Sequence, residues 1–389
     1  MGNIKSRLLT GPEVSNYEAV NSERNEQWAS TMGGVAQGSI CLAHGDDDLS
    51  IAPIVPILRG QREDIEESQL ARGATLSRSS KGRAIPEPED EFRTCFERDR
   101  DRILHSSSFR RLAGKTQVFI FPADHQRTRL THALEVAQVA VSIARACGLN
   151  QVLAEAIALG HDCGHGPGGH ASEDALSIYV EGGYDHAVWG ADVALSHLNL
   201  SYETLDGIRN HSWSRPSPST PEGIVVSWAD RIAYCCHDFE DAVLAGIISQ
   251  DQLPEEVSSI CGTKRSSQLR TFILDIVNNT CESGIISMSS RVAGALSGLR
   301  QFNYQHIYQR QASKAQEERV IRMLRALVDH YLSNPNLLPD KALDSSRDLA
   351  TNVVSYVAGM TDRYCSEQSV ELLDWSENDL PIGISGRSI

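Results

Sequence analysis

Long apolar runs are the first thing this chain lacks. No stretch of eighteen apolar residues occurs, so no membrane-crossing helix is expected. The amino terminus carries no apolar segment of the kind that marks a secretory signal. Met1-Gly2-Asn3-Ile4-Lys5-Ser6 fits a short N-myristoylation pattern, but a pattern this loose arises readily by chance. The nine cysteines include no Cys-x-x-Cys spacing, and the only close pair is Cys235-Cys236. Reduced, mostly buried thiols in a cytoplasmic protein are favoured over a disulfide framework. Positive charge is also scarce: 36 Lys and Arg against 51 Asp and Glu leave a net charge of −15. That balance disfavours broad binding to nucleic acid or anionic membrane.

The charge is uneven. Between Arg93 and Arg129 nine Lys or Arg stand against four Asp or Glu, a net of +5 inside an acidic chain. A local basic stretch suits a small polyanion such as a triphosphate. The alternating signs from Glu97 to Arg102 fit ion pairing along a helix surface as well. Both readings apply, with the exposed arginines mostly structural.

Residues 1 to 69 mix Ser, Gly, Asn and charge, and their one apolar patch, Ile51 to Leu58, is broken by two prolines. They are expected to form an accessory, partly mobile extension able to meet a protein partner. Residues 70–389 are expected to form one mainly α domain. Its metal-site core spans about 93–250, a helical part 251–375, and a tail 376–389. Apolar periodicity predicts helices over Thr131 to Cys147, Gln151 to Leu159, Ala171 to Val180, Glu222 to Ile248, Glu317 to Leu332 and Asp348 to Tyr364. Ser212 to Pro221 reads as a loop and a candidate lid.

Metal-binding side chains recur on this helical frame. His132 lies near the start of one predicted helix, His161-Asp162 at the end of the next, and Asp230 on a third. Antiparallel packing would bring these ends together. Two imidazoles and two carboxylates suit a divalent cation that keeps positions open for water, Mn²⁺ or Mg²⁺ first, with Fe²⁺, Ni²⁺ and Zn²⁺ also compatible. Each residue alone is more often structural, and Asp230 could merely pair with Arg231. The set of four makes that bland account hard to sustain. His170 and Glu173 sit one helical turn apart, so the carboxylate could orient the imidazole for proton transfer. His165, His186, Arg129 and Arg231 are placed to bind phosphate oxygens. Asp230, Tyr234 and Asp238 share one face at i, i+4 and i+8.

With these residues in view, the chain resembles the HD-domain superfamily, and within it the deoxynucleoside triphosphate triphosphohydrolases (dGTPase-like proteins). The resemblance rests on several motifs in order. Arg93 to Ser106, Phe109 to Val118 and Arg127 to His132 come first. His161-Asp-Cys-Gly-His-Gly-Pro-Gly-Gly-His170 and Gly182 to His186 follow, then Asn199 to Ile208, Ala229 to Tyr234 and Ala358 to Tyr364. Together they span about Ala71 to Leu373.

The resemblance implies an HD helical bundle with additional C-terminal helices. It implies hydrolysis of a dNTP to deoxynucleoside and tripolyphosphate. His132, His161, Asp162 and Asp230 would be metal ligands, and His170 with Glu173 the acid/base pair. His165, His186, Arg129 and Arg231 would contact phosphates. Gln117, Tyr234 and Asp238 would contact sugar or triphosphate. It also implies a homo-oligomer and a nucleotide effector, and is compatible with pool housekeeping or defence against phage. Other HD nucleotidases or phosphodiesterases, and a non-catalytic nucleotide sensor, are the competing readings. Relatives usually carry Phe where this chain has Gly168, a change expected to remove packing and loosen the backbone around His170.

Overall fold

In a computed structural model, residues 22–30, 32–45, 50–119 and 126–383 are described. The Met1–Ser6 pattern lies outside them. The chain divides into two compact units, Met1–Pro56 and Ile57–Ile389. The first holds a helical run over residues 22–30 and a hairpin of β1 (Val35–Gln37) and β2 (Ile40–Leu42), paired antiparallel with Gln37 opposite Ile40. The apolar patch over residues 51–56 has no regular structure and is exposed.

The second unit is helical. In chain order it contains α1 (Arg59–Gln69), α2 (Cys95–His105), α3 (Ser107–Arg111), α4 (Arg129–Ala146), α5 (Gln151–Gly160), α6 (Ala171–Leu176), α7 (His186–Trp189) and α8 (Tyr202–Asn210). There follow α9 (Pro221–Leu244), α10 (Glu255–Cys261), α11 (Arg265–Ser283), α12 (Ser290–Asn303), α13 (Gln311–Ser333), α14 (Leu349–Ala358) and α15 (Asp362–Leu373). Helix starts follow local chemistry. Thr94 and Glu97 exchange side-chain and backbone hydrogen bonds at the start of α2. Asn150 accepts from the Leu153 N–H at 3.2 Å, and Thr220 caps α9 just before Pro221.

Two apolar cores organise the unit. One gathers α2, α4, α5 and α9 with α11 and α12. The other gathers α6, α13, α14 and α15 around Leu324, Leu327 and Val354. None of the described helices is long and apolar enough to cross a membrane. Cys235 and Cys236 are buried in the first core as free thiols. The prediction of one helix from Asp348 to Tyr364 is corrected: α14 ends at Ala358, and Thr361 starts α15 by accepting from the Tyr364 N–H at 3.3 Å. Ala171 to Val180 likewise tightens to a 3₁₀ turn over Ser177–Tyr179.

Close packing of α5 on α8 matters most for the site. A Cβ at Gly160 would lie 2.5 Å from Ile208 Cδ1, and one at Gly207 would lie 2.4 Å from Ile157 Cδ1. Only glycine admits this approach, and it sets the carboxyl end of α5 beside that of α8. Gly207→Ala is therefore expected to cost about 1–3 kcal/mol through overpacking, measured by urea unfolding. Ile157→Val, which removes the clashing methyl, should recover part of that loss.

Candidate metal centre

His132 stands on the first turn of α4, His161 caps α5, Asp162 follows it, and Asp230 projects from the middle of α9. The four converge. His132 Nε2 lies 3.1 Å from Asp230 Oδ1 and 4.0 Å from Asp162 Oδ2. His161 Nε2 lies 3.5 Å from Asp162 Oδ1 and 3.7 Å from Asp230 Oδ1. No ion pair joins Asp230 to Arg231 among the described residues; Arg231 instead lies over the Trp213 ring, 3.5 Å from its centroid.

The local chemistry suits a cation. His161 Nδ1 faces the Ala158 carbonyl at 2.6 Å, so Nδ1 carries the proton and the Nε2 lone pair faces the carboxylates. That Nε2 is buried with no hydrogen-bond partner, which is costly unless something binds it. Burial alone would raise Asp162, but the Arg129 charge beside it holds it well below the ordinary carboxylate range. Asp230 is held low as well, its burial outweighed by the hydrogen bond to His132. Both acids are thus ionised and ready to ligate.

His211 was missed from the sequence. It caps the end of α8, and its Nδ1 faces the Ile208 carbonyl at 2.8 Å, as His161 does one helix away. Its ring lies edge-on to His161 at 4.9 Å, and together with His161 and Asp162 it could hold a metal. Burial, reinforced by His161 and His186, pulls it down to about 4, so it is neutral at physiological pH. The isolated His211-Ser-Trp sequence offers no signal for this. Only the glycine-mediated α5–α8 contact reveals it.

A second group combines His165, His170, Glu173 and His186. Here the expected arrangement is modified. Glu173 Oε1 is hydrogen-bonded to His186 Nδ1 and accepts the His186 backbone N–H at 3.1 Å. His170 Nδ1 is 3.6 Å from the other oxygen, beyond hydrogen-bond length. The carboxylate is shared, with His186 its firmer partner because α7 begins directly over it. His186 Nε2 meets His211 Nε2 at 3.3 Å, so both of its ring nitrogens already face protein groups. The His165 ring stacks on that of His186 at 3.7 Å, and its Nε2 lies 3.3 Å from Asp162 Oδ1. Burial and the Arg129 charge push His165 well below its usual range. The His170 side chain is 74 % exposed, unlike the buried imidazoles around it.

His132, Asp162, His165, His170, His186, His211 and Asp230 face one cavity of about 450 Å³. Arg129, His165, Arg231, Tyr234, Asp238 and Gln117 all line it, together with Tyr308 and Arg300. Arg129 is 2 % exposed and pairs with Asp162 Oδ2 at 2.7 Å, so it orients a candidate ligand as well as facing the cavity. The Gln117 Oε1 and the Arg231 Nε are buried without partners. Tyr308 donates to Asp238, and Arg300 donates to the Tyr234 hydroxyl at 2.7 Å. Other basic residues of the Arg93–Arg129 stretch pair elsewhere, Arg98 and Arg102 with Glu87, and Arg127 with Glu135, Glu240 and Asp241. The loosening expected at Gly168 is corrected. Gly168 has φ +74°, its N–H donates to Asp362 at 2.9 Å, and a Cβ there would lie 2.4 Å from Val320. Val320 of α13 fills the space a larger residue would need.

Helix-borne imidazoles and carboxylates around a polar cavity define a metal-dependent nucleotide phosphohydrolase of the HD type. The HD domain family matches residues 129–235, and the phosphohydrolase-associated domain matches residues 286–370. A "deoxyguanosinetriphosphate triphosphohydrolase-like protein" of Caldanaerobacter subterraneus subsp. tengcongensis is 41% identical over 82% of this chain and 95% of its own length. Its namesake in Clostridium perfringens is 41% identical over 80% of this chain and 96% of its own. That of Desulfatibacillum aliphaticivorans is 37% identical over 79% and 95%. The chain belongs to this deoxyguanosinetriphosphate triphosphohydrolase-like family.

Two outcomes are expected. His161→Ala should abolish tight divalent-metal binding, while His170→Ala should leave the metal content of the purified protein unchanged, read by elemental analysis. The second concerns Asp238, which burial pushes up to about 7 from its ordinary 3.8. Between those values the folded chain holds a proton that the unfolded chain has lost, so this group's contribution to stability falls as pH rises and levels off above about 7. Asp238→Asn should remove that slope. In urea unfolding of the metal-free protein, the variant should gain on the wild type between pH 5 and pH 8.

Proposed function

We propose that the chain hydrolyses deoxynucleoside triphosphates to deoxynucleoside and tripolyphosphate. The observation that carries this reading is the convergence of His132, His161, Asp162 and Asp230, with His132, Asp162 and Asp230 lining the cavity and the His161 Nε2 buried behind them and unpartnered. These four residues would hold a divalent cation, Mn²⁺ or Mg²⁺ in our reading, and the Lewis acidity it would supply when bound is the chemistry that activates water toward a phosphoryl group. Arg129 holds Asp162 in its ligating orientation through the 2.7 Å contact. The unpartnered Arg231 Nε is a donor for phosphate oxygens, whereas the single N–H of a neutral His165 is directed at Asp162.

His170 serves as the acid that protonates the leaving 5′-oxygen. Its exposure lets it exchange the proton with solvent. Asp238, Tyr308 and Gln117 offer the acceptors and donors that a deoxyribose hydroxyl requires. Tyr234, set by Arg300, supplies an apolar ring face for the sugar. Family membership and the relatives' printed names support the substrate class.

The test is a product assay on each of the four dNTPs, and on their mixtures, with Mn²⁺ or Mg²⁺. Deoxynucleoside and tripolyphosphate in equal amounts are expected. His170→Ala should lower the rate by about 10²–10⁴-fold, the usual contribution of a positioned acid. Release of orthophosphate or a nucleoside monophosphate instead would replace this reading with that of another HD phosphohydrolase.

A further inference from the structure

Three arginines line the metal-centre cavity, and two of them already have protein partners. Arg129 pairs with Asp162, and Arg300 donates to the Tyr234 hydroxyl. The guanidinium of the third, Arg231, has no hydrogen bond or ion pair among the described residues, and its Nε is buried. What touches it is an aromatic face: its Cζ stands 3.5 Å from the centroid of the Trp213 ring. At that distance an edge-on guanidinium would drive a nitrogen into the ring, so it lies on the indole with its face. The donors of a guanidinium all lie in its plane. Stacking therefore leaves them free.

Trp213 is itself pinned to the helix that carries Arg231. Its Nε1 donates to the Ser227 carbonyl of α9 at 3.1 Å, and the Trp228 ring meets it edge-on at 4.8 Å and 82°. Ser227 and Arg231 are about one turn apart on α9. The loop that carries Trp213, Ser212 to Pro221, reads from sequence as a candidate lid, yet it is fastened along its length. Arg215 lies 3.7 Å from Asp185, and Ser219 donates to Asp206 from its backbone N–H and its hydroxyl, each at 2.7 Å. A loop so tied offers a fixed platform. His211, just ahead of Trp213, faces the same cavity, so one segment brings both an imidazole and an indole to the site.

We propose that Trp213 is a positioning residue, which holds the Arg231 guanidinium with its in-plane N–H donors presented to the phosphate chain of the substrate. An unsupported arginine would lose rotamer freedom on binding, and the indole removes that freedom beforehand. The ring also stabilises the cation without competing for its hydrogen bonds. The role rests on the triphosphate reaction proposed above.

The test is steady-state hydrolysis of the preferred dNTP by the full chain, with Mn²⁺ or Mg²⁺ saturating. Trp213→Leu keeps bulk and apolar character but removes the aromatic face. It should raise KM about 5–30-fold, the reach of a cation–π contact, while kcat stays within about threefold. Trp213→Phe restores a ring and should bring KM back to within about twofold of the wild type. In an Arg231→Ala background, Trp213→Leu should raise KM no further, because the indole acts through that arginine. A merely structural tryptophan would instead add its effect to that of Arg231→Ala. Unchanged KM in Trp213→Leu, equal KM values in the Leu and Phe variants, or additive effects in the double variant would overturn the role while leaving the reaction standing. A wild type that releases no tripolyphosphate would overturn the reaction proposed above, and this role with it.

Discussion

The site depends on neutralising one buried carboxylate. Asp162 is 3 % exposed and faces Arg129, itself 2 % exposed, at 2.7 Å. Removing one member of such a pair strands the other and typically costs about 3–5 kcal/mol. The pair therefore fastens the start of α4 to the end of α5, which is what brings His132 and His161 to the same point. Three imidazole contacts complete the surroundings of Asp162, His161 and His165 at Oδ1 and His132 beside Arg129 at Oδ2. An acid so enclosed stays ionised.

Orientation of those histidines is a backbone property. His161 and His211 each direct Nδ1 at a carbonyl three residues earlier, Ala158 and Ile208, at the last turn of a helix. The unused carbonyls at a helix end are thus put to work as fixed acceptors, and the opposite ring nitrogen is left as a bare lone pair. Because Gly160 and Gly207 let α5 and α8 pack closely, two such prepared imidazoles arrive edge-on at 4.9 Å. A metal needs ligands held before it binds, and here the main chain does the holding.

The sequence exposed the parts of this arrangement that local rules govern. Apolar periodicity located α4, α5 and α9 within a few residues, and the His and Asp positions on them followed from helix geometry. Periodicity was blind to features created by contact between distant segments. His211 becomes part of the cluster only through the α5–α8 crossing. Glu173 looked committed to His170 at one-turn spacing, yet α7 folds back over α6 and gives it His186. Gly168 looked like lost packing, but Val320, some 150 residues away in sequence, takes the vacated volume. The basic stretch from Arg93 to Arg129 was ambiguous for a related reason, since partners such as Glu87, Glu240 and Asp241 lie outside it.

These long-range contacts share a direction: the C-terminal helices hold the turn that carries His170. Asp362 takes the N–H groups of Thr116 and Gly168, Lys115 ties the Ala358 carbonyl to that of His165, and Val320 packs under Gly168. Every one of these anchors on the far side falls within residues 286–370, the phosphohydrolase-associated region, while the turn itself lies in the HD region. The metal ligands could be assembled by α4, α5 and α9 alone, since their packing is internal to the HD segment. The turn that carries His170 could not be fixed so, because with two positive-φ glycines, Gly168 and Gly169, it has little conformational preference of its own. The two regions therefore divide the chemistry physically. One gathers the candidate metal ligands, and the other fixes where the exposed imidazole meets the cavity.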